Sequence, residues 1–181
     1  MLMSVKDTFF SKKHTLNFRG KLMSLAEPKI MGIVNVTPDS FYVDSRKPSK
    51  NEAIAQADKL LNEGADILDI GAYSSRPGAK EISENEELQR LEPVIDQIKT
   101  NYPDAIISVD TFRSGVARKM LNSYDVHMIN DISAGNLDPE MIHVIAENHV
   151  PYVMMHMRGT PRTMQKHANY KNVVKEVMLY F

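Results

Sequence analysis

Five short apolar runs constrain this chain more than any other feature. They are Ile30-Met31-Gly32-Ile33-Val34, Asp66-Ile67-Leu68-Asp69-Ile70, Ala105-Ile106-Ile107-Ser108-Val109, Val126-His127-Met128-Ile129 and Pro151-Tyr152-Val153-Met154-Met155. None alternates regularly between apolar and polar residues, which suits a strand covered on both faces in a parallel sheet. A buried helix segment can show the same composition, so the intervening segments decide. Those segments carry helix signals. Ser49-Lys50-Asn51-Glu52 and Ser83-Glu84-Asn85-Glu86 have the form of capping boxes, with a serine at the N-cap and a glutamate three residues on. Asp138-Pro139-Glu140 joins an N-cap carboxylate to a proline at the first helical position. Leu88, Leu91, Ile95, Ile98 and Tyr102 recur at three- and four-residue steps and predict one stripe facing a sheet. Pro93 lies inside that segment, where the ring predicts a kink or a restart. Ala53, Ala57, Leu60 and Leu61 form a similar stripe, with Gly64 as its C-cap.

Strand and helix alternating at intervals of roughly thirty residues make parallel β/α units. Thr15 to Leu25, centred on Arg19-Gly20-Lys21, predicts a small hairpin ahead of them. Two architectures accept such a series: an open doubly wound sheet or a (β/α)8 barrel. No G-x-G-x-x-G or Walker glycine pattern follows the first run, which disfavours a nucleotide-binding open sheet. Polar residues gather instead after every run: Asn35, Ser74 to Arg76, Asp110, Asn130 and His156. Barrel enzymes build their sites from the carboxyl ends of several strands, so this distribution favours the barrel. A full barrel takes about 250 residues. With 181 residues and a helical pattern running into Leu179-Tyr180-Phe181, the expectation is one domain over 1–181, about five units of a TIM barrel truncated at its C-terminus.

Composition narrows the partners. The formal net charge is -1, with 25% charged residues, which gives no electrostatic reason to expect nucleic acid or an anionic membrane. With no cysteine, disulfides and thiolate metal sites are excluded. No signal-peptide core and no stretch of membrane-spanning length is present, so cytoplasm is the expected location. The twelve methionines suit core and pocket filling.

The segments after the runs, taken together, resemble dihydropteroate synthase. The carriers are Ile30 through Asn35-Val36-Thr37-Pro38-Asp39-Ser40-Phe41; Gly64 through Gly71 with Ser74-Ser75-Arg76-Pro77-Gly78-Ala79; Ser108-Val109-Asp110-Thr111; Ile129-Asn130-Asp131; and Met155-His156-Met157-Arg158-Gly159. They follow in the family's order from about Leu16 to the end of the chain. The resemblance implies a transferase of folate biosynthesis. In that reaction the amine of p-aminobenzoate displaces diphosphate from 6-hydroxymethyl-7,8-dihydropterin diphosphate, assisted by Mg2+, to give 7,8-dihydropteroate. It also implies competition by sulfonamides and a homodimer for the full-length protein.

Site residues carry over position by position. Asn35 matches the Mg2+-associated position; the alternative is a strand-end cap. Asp110 and Asn130 match the pterin-binding positions, where a carboxylate and an amide can read the donors and acceptors of a pterin edge. The alternative for Asp110 is capping the next helix, with Thr111 to Ser114 as its first turn. Ser75, where threonine is usual, and Arg76 match an anion-facing loop stiffened by Pro77. Asp39 and Phe41 match a loop that covers the substrates. Catalytic roles fall to Asp110, Asn130 and Arg76. Ala72-Tyr73 departs from the common Gly-Glu, and no role follows for a carboxylate there. Asp69 suits a pocket or a structural role equally, and His156 is expected to be structural. The family's later Asp-Pro-Gly, lysine and Arg-x-His segments have no counterpart in these 181 residues, so this chain alone is expected to be inactive. Two other readings stand beside this one. One is a truncated, non-catalytic pterin-binding or subunit-like homologue. The other is a barrel like methyltetrahydrofolate:corrinoid methyltransferase, which the Asn-Val-Thr-Pro-Asp-Ser-Phe run disfavours.

Overall fold

All five apolar runs form strands of one parallel sheet. The structure is a computed structural model and describes residues 14–36, 50–74 and 81–181. A hairpin, β1 (Thr15–Phe18) and β2 (Lys21–Ser24), precedes β3 (Met31–Asn35), α1 (Lys50–Asn62), β4 (Ile67–Gly71), α2 (Glu84–Asn101), β5 (Ile106–Asp110) and α3 (Ser114–Ser123). Then come β6 (Met128–Asp131), α4 (Glu140–Asn148), β7 (Tyr152–Met154) and α5 (Val173–Tyr180). The sheet order is β3-β4-β5-β6-β7, every neighbouring pair parallel. A doubly wound sheet reverses its order at a switch point; this one never does. Right-handed crossovers that always advance in one direction put their helices on one face. Consecutive helices from α1 to α4 accordingly pack on one another.

That face holds the main core. Val34, Ile70, Val109 and Ile129 are sealed beneath Ala57, Leu91, Ile95, Ile98, Val116 and Met120. Burying each larger side chain of this set contributes about 1.5–3 kcal/mol relative to exposure. The opposite face is apolar near the amino ends of the strands, where Ile67, Ile106 and Met128 pack on Phe18 of the hairpin. The hairpin turn has Arg19 at φ 51° and Gly20 at φ 99°, the two positive φ values a type I′ turn demands. The hairpin thus covers one end of the sheet, and among the described residues the carboxyl end of the inner face is left open.

Most local expectations are met. Ser83 caps α2 by accepting from the Glu86 amide at 3.2 Å. Gly64 (φ 100°) ends α1 in a Schellman arrangement, its amide on the Leu61 carbonyl and the Ala65 amide on that of Leu60. Ser49 lies outside the described residues. Of the kink or restart expected at Pro93, there is no restart: helix α2 passes through it as one element, its stripe of Leu91, Ile95 and Ile98 fully buried. The alternative reading of Asp110 fails: α3 starts at Ser114, not Thr111, and Asp110 does not cap it. That task falls to Asp138, whose Oδ2 accepts from the Ser114 amide at 2.7 Å while its Oδ1 accepts from Glu140 in its own helix.

Candidate functional site

The strand register brings three of the sequence-predicted residues into one row. Asn35 pairs with Gly71, Gly71 with Asp110, Asp110 with Asn130, and Asn130 with Val153. Paired residues of a parallel sheet project on the same face, on strands about 4.8 Å apart. Asn35, Asp110 and Asn130 therefore share the open inner face at the carboxyl ends of β3, β5 and β6. Gly71 leaves a gap in the row that Asp110 uses. A Cβ there would lie 3.3 Å from both Cβ and Oδ2 of Asp110, so the carboxyl leans across the glycine. Ser75, Arg76, Pro77, Asp39 and Phe41 lie outside the described residues.

Two residues further down each strand, on the same face, runs a second row: Ile33, Asp69, Ser108 and Met128. Asp69 is only 3% exposed and accepts from Asn130 Nδ2 at 2.8 Å. Among the described residues, Oδ1 of Asp69, Oγ of Ser108 and Oδ1 of Asn130 are buried without a hydrogen-bond partner. Buried polar atoms are nearly always paired, so three orphans on one face mark a place where a ligand or water belongs. The electrostatics agree. Burial, reinforced by the negative charges of Asp69, Glu87 and Asp131, pushes the Asp110 carboxyl up to about 7. Such a group welcomes donors that stabilise its charged form.

Asp69 and Ser108 are the residues a motif-level reading undervalues. The signal is parity: each stands two positions before a row residue, Gly71 and Asp110, and two residues along a strand share a face.

Behind the row, a second cluster braces the β4 and β5 ends. Arg113 pairs with the fully buried Glu87 and donates to the Ile82 carbonyl at 2.7 Å. Its guanidinium lies 5.2 Å from the Tyr73 ring centre and 5.1 Å from that of Phe112. Desolvation raises the Glu87 pKa, with Thr111 and Arg113 opposing it. Tyr73, which stands where glutamate is common, is thus an aromatic support. His156 packs edge-on against Tyr180 with ring centres 4.5 Å apart, in keeping with a structural role. Asp131 is likewise committed, accepting from Ser133, Gly135 and Tyr152.

Among the described residues, no group of three or more His, Cys, Asp or Glu side chains could cage a metal ion. Asn35 is exposed and offers one neutral oxygen at the edge of the row. This fits a Mg2+ ion held mainly by water and ligand phosphates, the way that ion is commonly bound.

The geometry agrees with what the chain is similar to. Residues 31–181 match the family model described as pterin binding enzyme. The dihydropteroate synthase of Haemophilus influenzae is 42% identical over 160 residues, covering 88% of this chain and 57% of that protein. A Yersinia pestis dihydropteroate synthase solved as a sulfonamide drug complex superimposes with a TM-score of 0.82 at 36% identity. The match covers 92% of this chain and 60% of that one. The Xanthomonas albilineans enzyme with 4-aminobenzoic acid gives a TM-score of 0.79 at 38% identity, covering 92% of this chain and 58% of that one. The architecture is thus part of the (β/α)8 barrel expected from the sequence, and the chain spans about six-tenths of the length of these relatives. With its motifs, its singly wound sheet and its inner-face row accounted for together, the chain belongs to the pterin binding enzyme family.

Proposed function

We propose that this chain forms the pterin-binding part of a dihydropteroate synthase. The observation that carries the reading is the single row of Asn35, Asp110 and Asn130 at the carboxyl ends of the strands, with the buried Asn130 Oδ1 unpartnered among the described residues. A pterin edge presents N–H donors beside ring acceptors. Asn130 Oδ1 takes one such donor, and the Asp110 carboxyl takes another. Donors at Asp110 favour its ionised form, which stabilises positive charge on the pterin as its exocyclic carbon–oxygen bond breaks. The p-aminobenzoate nitrogen forms the new carbon–nitrogen bond and loses a proton, and diphosphate departs. Mg2+, when bound, would neutralise charge on the departing diphosphate, with Asn35 as one oxygen donor. Ser75 and Arg76 are assigned to the diphosphate in this reading, and Pro77, Asp39 and Phe41 to substrate binding. Their support is the motif each belongs to.

Sulfonamides compete with p-aminobenzoate in this account. The complete protein is a cytoplasmic homodimer, which cell fractionation and sedimentation would check. The test of function is product formation in a full-length context. Pterin diphosphate, p-aminobenzoate and Mg2+ should yield dihydropteroate by chromatography, and Asp110→Asn should suppress it. Turnover unaltered by that substitution would refute the assignment.

A further inference from the structure

Asn130 has a symmetric-looking amide, and only its surroundings decide which edge meets a ligand. An amide presents two donors on nitrogen and acceptor positions on oxygen. At the open end of the sheet, nothing in the ligand-facing row fixes the choice. The fixing contact comes from the row beneath. Asn130 Nδ2 donates to Asp69 Oδ2 at 2.8 Å, across two strands and inside a pair that is 8% and 3% exposed. A carboxylate oxygen is an acceptor, and the edge it holds here is the NH2 edge of the amide. Among the described residues the other edge, Oδ1, is buried and unpartnered, as are Asp69 Oδ1 and Ser108 Oγ. In the register Asp69 is the neighbour of Ser108, and both lie on the face of Asp110 and Asn130.

We infer that Asp69 is a positioning residue that holds the Asn130 amide by its NH2 edge and so reserves its oxygen for a ligand, making the site selective for a heteroaromatic ring that offers an N–H there. This deepens the pterin reading and rests on it for the identity of the ligand. The lock itself is a property of the ligand-free protein. Without Asp69, Asn130 is free to turn, and a ring donor then meets NH2 as often as oxygen. An unmatched buried donor pair costs enough to weaken ring binding roughly tenfold. Binding of p-aminobenzoate, which does not use this amide, should stay within about twofold, well under the tenfold that a single lost hydrogen bond represents.

The experiment has two arms on the full chain. In the first, nitrogen-15 spectra of the ligand-free protein follow the Asn130 side-chain NH2, assigned by its loss in Asn130→Asp. The lock predicts slow hydrogen exchange for this NH2 and its collapse to the exposed-amide rate in Asp69→Asn and Asp69→Ala. An NH2 that exchanges freely in the unsubstituted protein, or that ignores both substitutions, overturns the proposal. Two variants guard against one simply losing its fold, which thermal unfolding reports. In the second arm, calorimetry with pterin diphosphate compares Asp69→Asn, Asn130→Ala and the double variant. A double variant no weaker than Asn130→Ala supports the lock, whereas additive losses overturn its role in binding. A protected NH2 that Asp69 controls, in a chain that binds no pterin diphosphate, supports the lock and refutes the functional reading.

Discussion

Asp110 and Gly71 stand side by side in the register, and each constrains the other. The carboxyl occupies space that only glycine leaves, since an added Cβ would press on Asp110 at 3.3 Å. Gly71→Ala should therefore displace the carboxyl by a few tenths of an ångström. Because small misplacements of reacting groups are costly, activity should fall by up to about 100-fold. Thermal unfolding should shift little, and steady-state kinetics beside a melting curve would check both. Asp110 itself links function to stability. Its pKa rises from an ordinary 3.8 to about 7 on folding, so the protonated form favours the native state. That stability is fully present below the unfolded value and is lost as pH rises through the folded one. Asparagine cannot ionise. Asp110→Asn should thus melt progressively higher than the unsubstituted protein between about pH 4 and about pH 8. In a full-length context it should also lose about 100-fold or more in turnover. A melting difference that does not grow with pH would contradict the burial argument. Asn35, Asp110 and Asn130 were legible from sequence because each follows directly on an apolar run. Asp69 and Ser108 were harder, because a polar residue inside a run looks like an interruption until its parity is compared with Gly71 and Asp110.

At the scale of elements, the helices of this sheet were readable from local chemistry wherever one segment supplies its own cap. Ser83 and Gly64 are such cases. The exceptions involve partners brought together only by the fold. The cap of α3 comes from Asp138, at the head of the next helix. Glu87 sits in the first turn of α2, where an acidic residue suits the helix dipole and predicts nothing further. Its partner is Arg113, one β/α unit away, and no local pattern announces the pair. Arg113 also ties the Ile82 carbonyl, so it connects the start of α2 to the end of β5. Arg113→Ala would leave Glu87 buried without its cation, a loss of about 3–5 kcal/mol in urea unfolding. Coupling it with Glu87→Leu should recover most of that, because the uncompensated charge disappears. A single variant with unchanged stability would show that Glu87 relaxes to water.

Over the whole molecule, the open inner face and the two lateral edges of the sheet have a common consequence. On the β3 side, Ile30 and Ile33 are exposed, the latter at 61%. Beyond β7, Val174, Met178, Leu179 and Phe181 of the α5 segment are exposed as well. Contiguous apolar surface and unpaired strand edges favour association. The 1–181 polypeptide should run larger than a monomer in size-exclusion chromatography. A monodisperse monomer would overturn that expectation. The barrel class was legible because parallel runs with polar carboxyl ends leave few alternatives. The covering of those edges was not, because it depends on pairing across the sheet rather than on any one segment.

The row of Asn35, Asp110 and Asn130 is the centre of the account, and equilibrium dialysis of the chain with pterin diphosphate probes it most directly. Saturable binding at one site is predicted, weakened roughly tenfold or more by Asn130→Ala, the loss expected when a buried hydrogen-bonding group goes unmatched. Binding that both Asn130→Ala and Asp110→Asn leave undiminished, or none at all in the folded chain, would contradict it.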